Sequence, residues 1–114
     1  MREERVILKR RCEALLHEWG VSPYYKGYSY LVDAVVYGGG KRLTDAIKVV
    51  SRKRKRGAES IYYCISHALK MSNLTAEKMN TKHRVLGVKA AQNAVLTPKD
   101  VYSSLLIYTK DEYY

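Results

Sequence analysis

Apolar residues three and four positions apart recur along this chain, and this spacing restricts its fold more than any other feature of the sequence. Between residues 2 and 19 they line one face of a helix, at Leu8, Cys12, Leu15, Leu16 and Trp19. The strict alternation of apolar and polar residues that is typical of strands never persists. The pattern therefore predicts an all-α fold without a β-sheet.

The apolar stripes and the residues that flank them predict about six helices. In chain order the helices cover about residues 2–19, 27–37, 43–54, 58–71 and 75–86, with a last helix from residue 98. Gly20 and Gly87 are expected to stop two of these helices, and Thr75 and Thr97 to cap two others. A chain of 114 residues has room for one core, so residues 1–114 are predicted to form a single domain.

Several classes of function lack their sequence signatures in this chain. Gly38-Gly39-Gly40 is not flanked by the residues of a phosphate-binding loop and is expected to be a flexible loop between helices. Cys12 and Cys64 fall on apolar stripes and are predicted to be small buried side chains. No histidine, serine or cysteine has partners at catalytic or metal-binding spacing. The chain is therefore predicted not to be an enzyme and to bind no cofactor or metal.

The hydropathy of the chain favours a cytoplasmic protein. No apolar run approaches the roughly 18 residues that a membrane span needs. Charges are spread through the first 20 residues, and no apolar segment there resembles that of a signal peptide. No membrane partner is expected.

The charge balance indicates an anionic partner. Twenty-one Lys and Arg against eleven Asp and Glu give a net charge of +10, which is typical of proteins that bind nucleic acid. Five of these cations are consecutive and repel one another unless something negative gathers them: Arg52, Lys53, Arg54, Lys55 and Arg56. Acidic proteins and anionic lipids also bind basic chains, so charge alone leaves the class of partner open.

The helices predicted at about 43–54 and 58–71 are separated by a short break that contains Gly57, which is the outline of a helix-turn-helix. In such a motif the second helix enters the major groove of double-stranded DNA while the first crosses the backbone. The outward residues of the second helix are then predicted to face base edges: Ser60, Tyr62, Tyr63, Ser66 and His67. The predicted phosphate contacts are Arg52, Lys53, Arg54, Lys55, Arg56 and Lys70.

Tyrosine is unusually frequent, with eleven tyrosines, one tryptophan and no phenylalanine. A tyrosine ring is apolar but its hydroxyl needs water or a partner, so several of these rings are expected at half-buried or contact surfaces. Four of them are expected to pack around the first turn between helices: Tyr24, Tyr25, Tyr28 and Tyr30.

Two segments, HEWGVSPYYKGYSYLVDAVVY and AESIYYCISHALK, resemble the C-terminal DNA-binding domain of the sporulation-initiation response regulator of spore-forming bacteria. The likeness depends on H-E-x-G-V at 17–21, K-G-Y-x-Y-L at 26–31, I-x-H-A-L at 65–69 and L-G at 86–87, and it spans about residues 10–112. It implies a bundle of six helices whose third and fourth form the helix-turn-helix. It also implies a transcription factor that binds short promoter sites, often in tandem, and contacts the RNA polymerase sigma subunit.

The sequence departs from that family in three ways. The loop after the second helix is shorter here, and there is no room for a receiver domain, so the chain is expected to be a stand-alone relative or an excised domain. The family has charged side chains where this chain has Ser60, Tyr62, Tyr63 and Ser66, and only His67 agrees. Tyr and Ser are less selective readers of bases than Arg. Useful selectivity is therefore expected to require two copies, as a homodimer or in tandem on adjacent half-sites.

Two functions of different classes follow from the sequence. The first is a DNA-binding transcriptional regulator that lacks a receiver domain. The second is a basic protein-interaction module of the same fold that has lost sequence-specific readout and binds an acidic protein or another subunit. RNA binding also stays open, because the charge of the chain suits any nucleic acid.

Overall fold

The computed structural model of the protein describes residues 2–79 and 95–110. This part of the chain contains five helices of at least 11 residues and one short helical turn. They are α1 (Arg2–Glu18), α2 (Lys26–Tyr37), α3 (Leu43–Arg54), α4 (Ala58–Met71), the turn α5 (Ala76–Met79) and α6 (Pro98–Tyr108). No strand occurs among these residues, and Thr75 and Val95 form an isolated antiparallel bridge. The all-α prediction is confirmed.

The predicted helix limits agree closely with the described helices. α3 and α4 begin and end at the predicted residues, while α1 and α2 differ from their predictions by one residue at one end. Thr75 caps α5 as predicted, since its hydroxyl accepts a hydrogen bond from the Lys78 amide at 3.4 Å. The remainder of the helix predicted at 75–86, the stop at Gly87 and the L-G pair at 86–87 lie outside the described residues.

α2 is the central helix of the fold. It packs most extensively against α4 and also contacts α1, α3 and α6. Its side chains from Tyr30 to Val35 are all buried, which explains why this helix has apolar residues on nearly every side. The other long helices each bury one stripe against it, including Leu15, Leu16, Ile47, Ile65 and Leu105.

Gly27 lies where α2 crosses α4 at close range. A methyl group on Gly27 would be only 2.0 Å from the carbonyl oxygen of Cys64 and 2.7 Å from the Cα of Ile65. Real side chains do not approach backbone atoms this closely, so the crossing requires a residue without a Cβ. The glycine of the K-G-Y-x-Y-L segment therefore sets the distance between the two helices.

Hydrogen-bonded caps end α1 and begin α6 as predicted. Gly20 adopts a positive φ of 82°, its amide donates to His17, and the Val21 amide donates to Leu16, which together form a Schellman motif. At α6 the Thr97 hydroxyl accepts a hydrogen bond from the Asp100 amide at 3.3 Å, and Pro98 occupies the first helical position. These local signals were readable in the sequence because each depends on residues close together in the chain.

The triple glycine forms the loop between α2 and α3, as predicted, but its first residue also has a packing role. Gly38 ends α2 and is buried so closely that a methyl group there would be 2.7 Å from the Cβ of Ala46. Beside it the hydroxyl of Tyr102 donates to the carbonyl oxygen of Lys41 at 2.6 Å. The loop is thus fastened to α6, which the glycine pattern did not indicate.

Candidate nucleic-acid interface

Three residues, Lys55, Arg56 and Gly57, join α3 to α4. Lys55 has a left-handed backbone, with φ 54° and ψ 46°, and its amide donates to the carbonyl oxygen of Ser51. The Arg56 amide donates to the same oxygen at 3.2 Å, and the Ser51 hydroxyl donates in return to the Arg56 carbonyl oxygen. These bonds tie residues 55–56 to the end of α3, so they fix the direction in which the chain enters α4.

Lys55→Gly is expected to raise the free energy of unfolding by about 0.5–1 kcal/mol, because glycine adopts the left-handed conformation without steric cost. Arg52→Gly is the matched control. Arg52 lies inside α3, where glycine is expected to lower stability by about 1 kcal/mol. Urea denaturation measures both changes, and a destabilised Lys55→Gly variant would contradict the left-handed geometry of this turn.

α4 buries one face and exposes the other. Ile61, Ile65 and Leu69 are buried, as the apolar spacing predicted. Tyr62 and Lys70 are exposed as predicted, but Ser66, which was also predicted to be exposed, is half-buried. The prediction that Cys64 is buried was wrong: its side chain is half-buried, because it lies at the edge of the buried stripe. Cys12 is buried as predicted, and its burial raises the pKa of the thiol far above the ordinary value.

The five predicted base-facing residues do not all lie on one part of α4. Tyr63 and His67 are exposed at the centre of its outer face, while Ser60 and Ser66 are half-buried nearer its flanks. Tyr62 lies on the flank toward α6 and lines a depression with Tyr102 there. The structure therefore brings Tyr63 and His67 together and separates Tyr62 from them.

Glu59 also lies on the outer face of α4, and the sequence prediction omitted it. It is exposed in the first turn of the helix, four residues before Tyr63, so both side chains share one face. A carboxylate at a helix N-terminus interacts favourably with the helix dipole. It also accepts hydrogen bonds from the amino group of cytosine. Glu59, Tyr63 and Lys70 are spaced at helical intervals, and this spacing in the sequence indicates that Glu59 shares the outer face.

Three of the five consecutive cations are held against α2. The Nε of Arg54 lies 2.7 Å from Oδ2 of Asp33, whose side chain is only 13% exposed. The guanidinium of Arg56 donates to the Tyr30 hydroxyl at 3.2 Å. The ammonium of Lys53 lies 4.2 Å from the centre of the Tyr37 ring.

These contacts explain how five adjacent positive charges coexist. The hydrogen bond to Asp33 is the largest cause of a raised pKa of the Arg54 guanidinium, which stays charged. The ring faces of Tyr30 and Tyr37 attract cations, and the C-terminal end of a helix does the same. The five cations therefore differ in how far neighbouring groups compensate their positive charge.

Arg52 and Lys55 differ from the other cations of the run. Both are exposed, and neither side chain has a hydrogen-bonding or ion-pairing partner in the described part of the chain. Lys70 is likewise exposed, near the other end of α4. These three charges are the most available of the predicted phosphate contacts.

Tyr24 does not pack as predicted. Tyr30 is buried and Tyr28 half-buried beside the first turn between helices, but the Tyr24 side chain is 86% exposed. The spacing of the aromatic residues in this segment did not predict which of the rings face solvent.

Comparison of the chain with known protein families, with curated proteins and with solved structures finds no match. The likeness to the sporulation-initiation regulators therefore stays a prediction. Within residues 2–79 and 95–110 no group of three acidic, histidine or cysteine side chains is arranged to hold a metal ion. Every helix in that same part of the chain is too short or too polar to cross a membrane.

Proposed function

We propose that the chain is a DNA-binding regulator in which α3, the turn at 55–57 and α4 act as a helix-turn-helix. The observation that carries this proposal is the outer face of α4, which is solvent-exposed and has available cations near both of its ends. Arg52 and Lys55 precede the helix and Lys70 lies in its last turn. Phosphates on both sides of a groove would meet these charges.

The dimensions of α4 suit a major groove. Its 14 residues span about 21 Å at 1.5 Å per residue. The major groove of B-DNA is about 12 Å wide and admits a helix of this kind. The three-residue turn also has the length found in DNA-binding helix-turn-helix motifs.

The side chains on the outer face of α4 predict that a single domain discriminates only weakly between DNA sequences. Glu59, Tyr63 and His67 are its exposed readers, and none provides the paired donors with which Arg recognises guanine. Two copies on half-sites about one helical turn apart would add their contacts on one side of the DNA. A regulator built on this face is thus expected to act as a pair.

The proposal predicts that phosphate contacts dominate affinity and that the available cations supply them. Replacing Arg52 and Lys55 together with alanine is expected to reduce the slope of log K against log salt concentration by about 2, because each lost phosphate contact removes about 0.9 from the slope. Fluorescence anisotropy of a labelled blunt duplex, titrated at several salt concentrations, measures this slope.

A double variant of Arg10 and Lys110 provides the matched control for charge. These residues are also exposed, but they lie on α1 and after α6, outside the α3–α4 pair. The control is expected to keep a slope close to that of the unmodified protein. Equal slopes for the two double variants would contradict the assignment of the interface. Absence of duplex binding even at low salt would contradict DNA binding itself and favour the protein-interaction module.

A further inference from the structure

Four aromatic rings form a continuous chain beside the outer face of α4. The Tyr24 and Tyr25 rings meet edge to face at 5.2 Å between centres, and Tyr25 meets His67 in the same manner at 5.6 Å. His67 in turn lies nearly parallel to Tyr63, at 6.1 Å and an interplanar angle of 20°. We propose that these four rings, here called the aromatic cluster, form a stacking site for an unpaired nucleobase.

The cluster is not explained by packing of the fold alone. The side chain of Tyr24 is 86% exposed and that of Tyr63 is 68% exposed. Aromatic rings stabilise a fold mainly through the apolar area that they remove from water, and these two rings remove little. Most of the surface of both residues is therefore accessible to a ligand.

The cluster surrounds a shallow depression at the crossing of α2 and α4. Tyr24 and Tyr25 directly precede α2, whereas Tyr63 and His67 belong to α4. The depression lies over the crossing of these helices, where Gly27 meets the backbone of Cys64. Because this crossing is so close, the backbone segments that carry the rings are held at a defined separation before any ligand binds.

The charge around the depression selects the class of ligand. Lys26 lines it, and no carboxylate among the described residues does. A cationic ligand, such as a quaternary ammonium group, would be attracted by the rings but repelled by Lys26 and by a chain of net charge +10. A nucleotide suits both the rings and the lysine, since its base stacks on the rings and its phosphate is attracted to the lysine.

The location of the cluster specifies the nucleic acid further. Tyr63 and His67 belong at once to the cluster and to the face of α4 that is proposed to meet DNA. The inference therefore rests on the proposed function and extends it: the preferred ligand is duplex DNA that adjoins unpaired bases. The cluster takes an unpaired base while α4 and its flanking cations hold the neighbouring duplex.

The test compares two labelled DNA ligands at one salt concentration, a blunt duplex and the same duplex with a short oligo-dT overhang. The unmodified protein is expected to bind the overhang ligand about 5- to 150-fold more tightly, which corresponds to about 1–3 kcal/mol for one stacked base. Tyr63→Leu and Tyr24→Leu are expected to abolish most of this preference. Tyr63→Phe is expected to retain it, because the phenylalanine ring still stacks.

Tyr62→Leu is the matched control, since Tyr62 is also an exposed tyrosine of α4 but lines the depression on the α6 side. It is expected to keep the preference for the overhang. Circular dichroism establishes that each variant is folded. Equal affinity of the unmodified protein for both ligands would overturn the stacking site and leave DNA binding standing. Tyr63→Leu weakening both ligands by one factor would do the same, whereas failure to bind the blunt duplex would reject the proposed function.

Discussion

Gly27→Ala is expected to lower the free energy of unfolding by about 3 kcal/mol or more. The new methyl group would be placed 2.0 Å from the carbonyl oxygen of Cys64, and both groups belong to the backbones of packed helices. Overpacked cores typically lose about 1–3 kcal/mol when flexible side chains move aside. Here α2 and α4 themselves must separate, and the most extensive helix contact of the fold is lost in part. Denaturation in urea, followed by circular dichroism, measures the loss.

Gly57→Ala is the control for the general effect of replacing a glycine. Gly57 has an ordinary negative φ of −62°, and a methyl group there would meet no atom of the described residues within 4 Å. Alanine is a poorer N-cap than glycine, but it also lowers the entropy of the unfolded chain, so the two effects offset and stability is expected to change by only a few tenths of a kcal/mol. If Gly27→Ala and Gly57→Ala unfold at the same urea concentration, α2 and α4 do not cross at Gly27.

Leu69→Ala is expected to lower the free energy of unfolding by about 2–5 kcal/mol. Leu69 is fully buried, with 0% of its surface exposed, in the stripe that α4 presents to the core. Its truncation removes apolar contacts and leaves a cavity that helices on several sides would have to collapse to fill. Lys70→Ala, one residue along and exposed, is expected to stay within about 0.5 kcal/mol of the unmodified protein. A near-zero effect at Leu69 would mean that the buried face of α4 is assigned wrongly.

The limits of α3 and α4 could be predicted from the sequence because local features determine them. Residues 43–54 and 58–71 each carry an apolar stripe, and Gly57 separates the two. The same holds for Gly20 and Thr97, whose caps involve residues no more than five apart in sequence. Signals of this kind do not depend on how the helices later pack.

The arrangement of the candidate interface was less predictable, because it depends on residues far apart in the chain. Arg54 and its partner Asp33 are separated by 21 positions, and nothing in the spacing of either residue indicates the pair. The requirement for glycine at position 27 arises only from the approach of Cys64. Glu59 is different, because helical spacing alone is sufficient to place it on the same face as Tyr63.

The contacts of α2 with the five consecutive cations at 52–56 would also affect the entropy of anion binding by those cations. Immobilising a long side chain on binding costs about 0.5–1.5 kcal/mol. Lys53, Arg54 and Arg56 are already restrained by Tyr37, Asp33 and Tyr30. That ordering occurs when the protein folds, so a ligand has only Arg52 and Lys55 left to order in this run. These three side chains are therefore preorganised, and binding of an anion by this run would carry a small conformational penalty.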